Sequence, residues 1–189
     1  MTFVALLDAN VLWSAPLRDT ILRAARRDLF RPAWTEAILA EVAGSLKRRR
    51  PDLDPERIDR TVGIIHTKFP AALVEGYEAL IPIMQNDQGD RHVLAAAVRA
   101  GAQVIVTSNV RDFPAAACSP YDIDIQPPDE FLCHLWHLRP PAMAQILREQ
   151  AADLHKPPQT PRQVLDTLER SVPTFVATAL QSQYGPWDS

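Results

Sequence analysis

A continuous apolar run, residues 3–7, ends abruptly at Asp8. Such a run reads as a buried parallel strand, and the acid then stands at its carboxyl end, the edge where open parallel sheets bind ligands. A second buried strand is expected at 103–106 (Gln-Val-Ile-Val) and leads into Thr107-Ser108-Asn109-Val110-Arg111-Asp112, which brings Asp112 to the same edge. Asp90 opens an alanine-rich helix and Asp87 precedes it, so either acid can project there. Glu41 falls three residues after Ile38 and directly before Val42, on the border of an apolar helix face, an odd place for a carboxylate with nothing to pair with. Four acids converging without four bases repel one another, and a divalent cation relieves that repulsion. Ligands that are all oxygen select Mg²⁺ or Mn²⁺ over zinc.

Each acid also has a plain reading. Asp8 can turn the chain by hydrogen bonding its own backbone, Asp90 can be a helix N-cap, and Asp112 can cap a turn. Glu41 can pair along its helix with Lys47 or Arg48. Asn10, Ser108 and Asn109 serve equally as turn formers or as groups that orient the acids. His92 lies near the proposed site, where a structural histidine competes with a phosphate contact. Cys133, His134 and His137 share one helix without a fourth partner, which weakens a zinc reading. Neither serine chemistry nor phosphate-loop binding has a motif here: no G-x-S-x-G, G-x-G-x-x-G or G-x-x-x-x-G-K-[ST] occurs. Arg48, Arg49 and Arg50 form a basic cluster, either a solvated helix end or a contact for a phosphate backbone.

The elements that must carry these residues follow from periodicity. Helices are expected over 19–29, 35–47 with Thr35 as N-cap, 56–68 opened by Pro55, and 91–100 closed by Gly101. Strands are expected at 3–7, 103–106 and 123–125, with a short one at Leu73-Val74. Alternating strands and helices argue for an α/β sandwich around a parallel sheet. From about residue 129 the pattern is helical throughout and punctuated by proline. The reading is therefore an α/β domain over 1–128 and a helical extension over 129–189.

The chain has 189 residues, formal net charge −3, 47% apolar and 23% charged residues, enough for a sizeable core and near the averages of globular proteins. A mildly acidic balance disfavours binding that rests on phosphate contacts alone, but not metal-dependent phosphodiester chemistry. No stretch reads as a membrane span or as a secretory leader, and Cys118 and Cys133 form no disulfide framework, so a reducing cytoplasm is expected.

The motifs together resemble a family. Leu6-Leu7-Asp8-Ala9-Asn10-Val11-Leu12 is similar to the opening motif of PIN-domain ribonucleases, including the VapC-type toxins of bacterial toxin–antitoxin pairs. Ala37-Ile38-Leu39-Ala40-Glu41-Val42 resembles their second acidic motif, Asp87 to Ala97 the third, and Val104 to Pro114 the fourth. The resemblance covers roughly residues 2–126. It implies a three-layer α/β PIN-like fold with a central parallel sheet, and an endoribonuclease whose acids are Asp8, Glu41, Asp90 and Asp112. Asp8, Asp90 and Asp112 would bind Mg²⁺ or Mn²⁺, with Asp87 the alternative to Asp90 and Asn10, Ser108 and Asn109 in support. It also implies an RNA substrate, a cognate antitoxin and a homodimer, while the lack of a membrane-spanning stretch argues for no membrane partner. A rival phosphohydrolase class that also opens on strand–Asp wants a second aspartate where Asn10 stands. The remaining rival is a PIN fold that binds RNA or protein without cutting.

Overall fold

In the computed structural model, which describes residues 2–188, the chain falls into two compact units. Among the described residues the first comprises 2–13 and 31–126, and the second 14–30 and 127–188. Where the sequence shows one change of character, near residue 128, the units also exchange at 13/14 and 30/31.

The first unit is built on four short parallel strands in the order β2-β1-β3-β4: β1 Val4–Leu7, β2 Arg31–Ala33, β3 Val104–Val106 and β4 Asp124–Gln126. The register pairs Leu7 with Val106 and Val106 with Gln126, so the central strands end level with one another. Leu6, Leu7, Ile105 and Val106 are fully buried, as strands covered on both faces must be. The strand β2 is invisible to periodicity: it is three residues long with Pro32 at its centre, and proline is confined to sheet edges, where β2 lies. Leu73 makes only an isolated bridge to Trp34 rather than a strand, and the rest of 70–83 turns in short 3₁₀ segments at Pro70–Ala72 and Glu78–Ile83.

A single turn of helix, α1 (Ala9–Leu12), follows β1 directly. The helix α3 (Glu36–Arg49) follows β2; buried Thr35 caps it by accepting from the Ile38 N–H at 3.1 Å. Then come α4 (Pro55–Lys68) and α5 (Arg91–Ala100). In α5 five consecutive residues, Val93–Ala97, are buried, and the three consecutive alanines Ala95–Ala97 let the helix approach the sheet closely. Gly101 ends it at φ 62°, ψ 38°, the left-handed geometry that relieves a helix C-terminus. A short α6 (Ala115–Cys118) precedes β4.

The second unit is helical: α2 (Ala15–Arg26), α7 (Pro128–Leu138), α8 (Pro140–Ala152), α9 (Pro161–Leu168) and α10 (Pro173–Leu180). Each carries proline in its first two positions, where the missing N–H costs nothing and the ring presets a helical φ. Trp136 gathers Phe175, Tyr184 and Trp187 around it at centroid distances of 6.0–6.3 Å. The buried Thr20 hydroxyl donates to Gln150 Oε1 at 2.8 Å, linking α2 to α8. Asp129 caps α10 from a distance, accepting from the N–H groups of Thr174 and Phe175. Among the described residues no helix is long and apolar enough to cross a membrane.

Two glycines separate backbone cost from packing. A Cβ on either Gly63 or Gly101 would meet nothing within 4 Å. Gly63 lies inside α4, so Gly63→Ala should stabilise by roughly 0.5–1 kcal/mol, whereas Gly101→Ala should destabilise by about 1 kcal/mol through its left-handed φ. Urea denaturation of the two variants reads both signs.

Candidate active site

The carboxyl ends of β1 and β3 and the first turns of α3 and α5 converge on one edge of the sheet. Asp8 is the fixed point. Its N–H still belongs to the ladder, donating to the Val106 carbonyl at 3.1 Å, and the residue is only 3% exposed. One carboxylate oxygen accepts from the Ala9 N–H at 2.7 Å; the other accepts from the Thr107 hydroxyl at 2.7 Å and from Asn10 Nδ2 at 2.6 Å. Thr107 Oγ1 in turn accepts from Asn10 Nδ2 and from the Asn109 N–H, both at 3.0 Å. Asn10 Oδ1 accepts from the Ser108 N–H at 2.8 Å. Asp8 thus caps α1 and also anchors a network that ties the end of β1 to the loop after β3. Burial pushes its carboxyl above the ordinary aspartate range, against the hydrogen bonds from Thr107 and Ala9.

Asp90 occupies the N-cap position of α5 but makes no capping hydrogen bond. Its carboxyl is pushed up to about 6, first by burial and then by the charges of Asp8, Asp112 and Asp87. Asp87 is committed differently: it accepts from the Gly89 N–H at 2.9 Å, closing a 3₁₀ turn (Gln88–Asp90). The Asp87 N–H donates to the Asp112 carbonyl at 3.1 Å, which joins the loop before α5 to the loop after β3. Asp112 ends the 3₁₀ turn Val110–Asp112; its side chain is 24% exposed, with the Arg111 guanidinium 3.6 Å away.

Glu41 pairs with neither Lys47 nor Arg48. Its partner is His92, with Nε2 3.2 Å from the carboxylate, and Lys47 pairs instead with Asp59. The Glu41 carboxylate holds the His92 imidazole above its ordinary range in spite of burial. His92 Nδ1 is buried without a hydrogen-bond partner, so Nε2 carries the ring's one polar contact. Ser108 and Asn109 enter the network through backbone N–H groups rather than side chains. Thr107, which the spacing of acids does not single out, is its hub. The signal was available: a hydroxyl at the strand end, one residue beyond the apolar run.

The donor set that could hold a cation is made of carboxylates, suited to Mg²⁺ or Mn²⁺. The acids share one field without being collapsed on a point: among the described residues no three of His, Cys, Asp and Glu stand in a ready coordination shell. Cys133 and its neighbours form none either. His137 Nδ1 is 2.7 Å from the Cys133 carbonyl, and His134 faces Glu130.

Two measurements follow from this geometry. Thr107→Val removes the hydroxyl from Asp8, Asn10 and the Asn109 N–H together, and should cost roughly 1–3 kcal/mol, with Thr107→Ser recovering most of it in urea melts. Asp90 holds its proton more tightly folded than unfolded, so metal-free protein should lose stability as pH rises from 3.8 towards and through about 6. Asp90→Asn should therefore melt higher than the unsubstituted protein above about pH 7 in chelator, and level with it near pH 4.

The PIN domain family matches residues 4–111, and a second family, described as the VapC50 C-terminal domain, matches residues 128–181. A protein of Mycobacterium tuberculosis (strain ATCC 25618 / H37Rv) named "Putative ribonuclease VapC50" is 44% identical over 108 residues, which take in 57% of this chain and 64% of that relative. The match thus spans just under two thirds of the relative's length. No solved structure matches the chain. The parallel sheet with acids at its carboxyl edge and the match across more than half of the sequence agree: the chain belongs to the PIN domain family.

Proposed function

We propose that this protein is an endoribonuclease that hydrolyses RNA phosphodiester bonds with Mg²⁺ or Mn²⁺. The observation that carries the reading is Asp90: an uncapped carboxyl, half-buried and raised to about 6 by that burial and then by the charges of three neighbouring acids. A structural acid at a helix start would cap it, and a set of acids kept close without matching bases is what a divalent cation binds. The name of the relative supports ribonuclease chemistry, and the two family matches support a VapC-type toxin with a cognate antitoxin. The motif resemblance extends the reading to a homodimer in the cytoplasm.

Asp8, Asp90 and Asp112 would hold the cation, and Glu41 would bind a water ligand or a second ion. When bound, the cation offsets the carboxylate repulsion, acidifies a water for attack on phosphorus and stabilises the leaving 3′ oxygen. The protein's own contribution is orientation. Thr107, Asn10 and the Ala9 N–H hold Asp8 in one rotamer, and His92 holds Glu41. Asp87, with an oxygen spent on Gly89, shapes the loop that presents Asp90.

Purified protein given total RNA with Mg²⁺ or Mn²⁺ should produce discrete fragments, and Asp90→Asn or a chelator should suppress them by about a hundredfold or more. Mn²⁺ should also raise the melting temperature of the unsubstituted protein and leave that of Asp90→Asn unmoved. Fragments that persist in chelator would overturn the metal mechanism. RNA bound but left whole, with no response to either ion, would turn the reading into that of a binding module.

A further inference from the structure

Four acids in a chain of net charge −3 repel a polyanion wherever no cation offsets them, so a cationic surface close to them favours RNA binding. The end of α3 supplies four consecutive cations, Lys47 to Arg50, but they are not equivalent. Lys47 is neutralised by Asp59 at 2.8 Å and Arg50 by Asp52 at 2.7 Å. Among the described residues Arg48 has no carboxylate partner, and it donates to the Ser45 hydroxyl at 3.1 Å. Arg49 has none either; its guanidinium carbon lies 4.2 Å above the centroid of the Trp13 ring.

The positions of these groups tie them to the acids. Trp13 closes α1, the single turn that Asp8 opens, so its backbone lies roughly 7 Å along the helix from that of Asp8. Arg48 stands seven residues after Glu41, two turns down the same face of α3, with Ser45 between them. The helices α1 and α3 pack together. The helix dipole accounts for cations at the end of α3, but it calls for no aromatic partner. A ring face orders a guanidinium without using its N–H donors, whereas a carboxylate occupies two of them. Arg49 is therefore held in place with its donors unspent, beside an indole that can itself stack on a base.

We infer that Trp13, Arg48 and Arg49 form a clamp for the backbone of single-stranded RNA next to the acid cluster, an inference that rests on the ribonuclease reading. Arg48 and Arg49 take phosphate oxygens, and Trp13 fixes Arg49 and offers its ring to the adjoining base.

The test is binding of a short, fluorescein-labelled, mixed-sequence single-stranded RNA by full-length protein carrying Asp90→Asn, in chelator, over a range of salt. Arg49→Gln in that background should weaken binding about fivefold or more and flatten the log–log salt dependence by about 0.7, the share of one phosphate contact. Trp13→Ala should weaken it about tenfold and Trp13→Phe should recover most of the loss, a rescue that requires an aromatic face. Lys47→Gln, at a cation already paired, should bind like the parent. Parent-like affinity and salt slope in both Arg49→Gln and Trp13→Ala, or a parent that binds no RNA, would overturn the clamp. If otherwise unsubstituted protein cuts RNA while these variants bind and cut unchanged, the clamp falls and the ribonuclease reading stands. If it cuts no RNA under either ion but binding is lost as described, the ribonuclease reading falls and the clamp stands.

Discussion

Repulsion among carboxylates is the constraint around which the first unit is organised. Asp8, Asp87, Asp90 and Asp112 come from three separate stretches of chain, and the charges of the other three each disfavour ionisation of Asp90. A flexible scaffold would let them drift apart. What prevents this is a short parallel sheet whose central strands end level, so that the residues after β1 and β3 leave at the same height. The Thr107 hydroxyl then bridges the two strand ends through Asp8, and a backbone hydrogen bond from Asp87 to Asp112 fastens the remaining loops together. Rigidity here does not follow from the chemistry of the acids; it holds them against their own field.

The same constraint explains why the partners of Glu41 and Asp8 differ in kind. Asp8 is nearly buried, where a counter-charge would be costly to desolvate, and it is satisfied by a hydroxyl, an amide and a backbone N–H. Glu41 is half exposed on α3 and takes the imidazole of His92, a partner whose charge responds to its surroundings.

Local signals made much of this legible in the sequence. The abrupt end of an apolar run at Asp8, Thr35 before α3, Pro55 before α4 and Gly101 after α5 each mark their element through a mechanism confined to a few residues. What stayed hidden depends on residues distant in sequence. Pairing of Glu41 with His92 spans two helices and is outcompeted on paper by the nearby Lys47 and Arg48. Thr107 becomes a hub only once β1 and β3 are neighbours. The strand β2 has three residues and a proline, and owes its existence to pairing with β1 rather than to any pattern of its own.

The helix α2 has a consequence for how this chain can be divided. It lies early in the sequence, inside the stretch 4–111 matched by the PIN domain, yet it belongs to the unit built from α7 to α10. Its buried residues Leu17, Thr20, Ile21, Ala24 and Ala25 need those later helices. A ribosome releasing this protein completes the sheet by residue 126 while α2 still lacks the partners encoded after residue 127. The amphipathic face of α2 must therefore wait, exposed, until α8 and α9 are made. A chain that stops between β4 and α8 has every strand of the sheet but none of the helices that pack on α2.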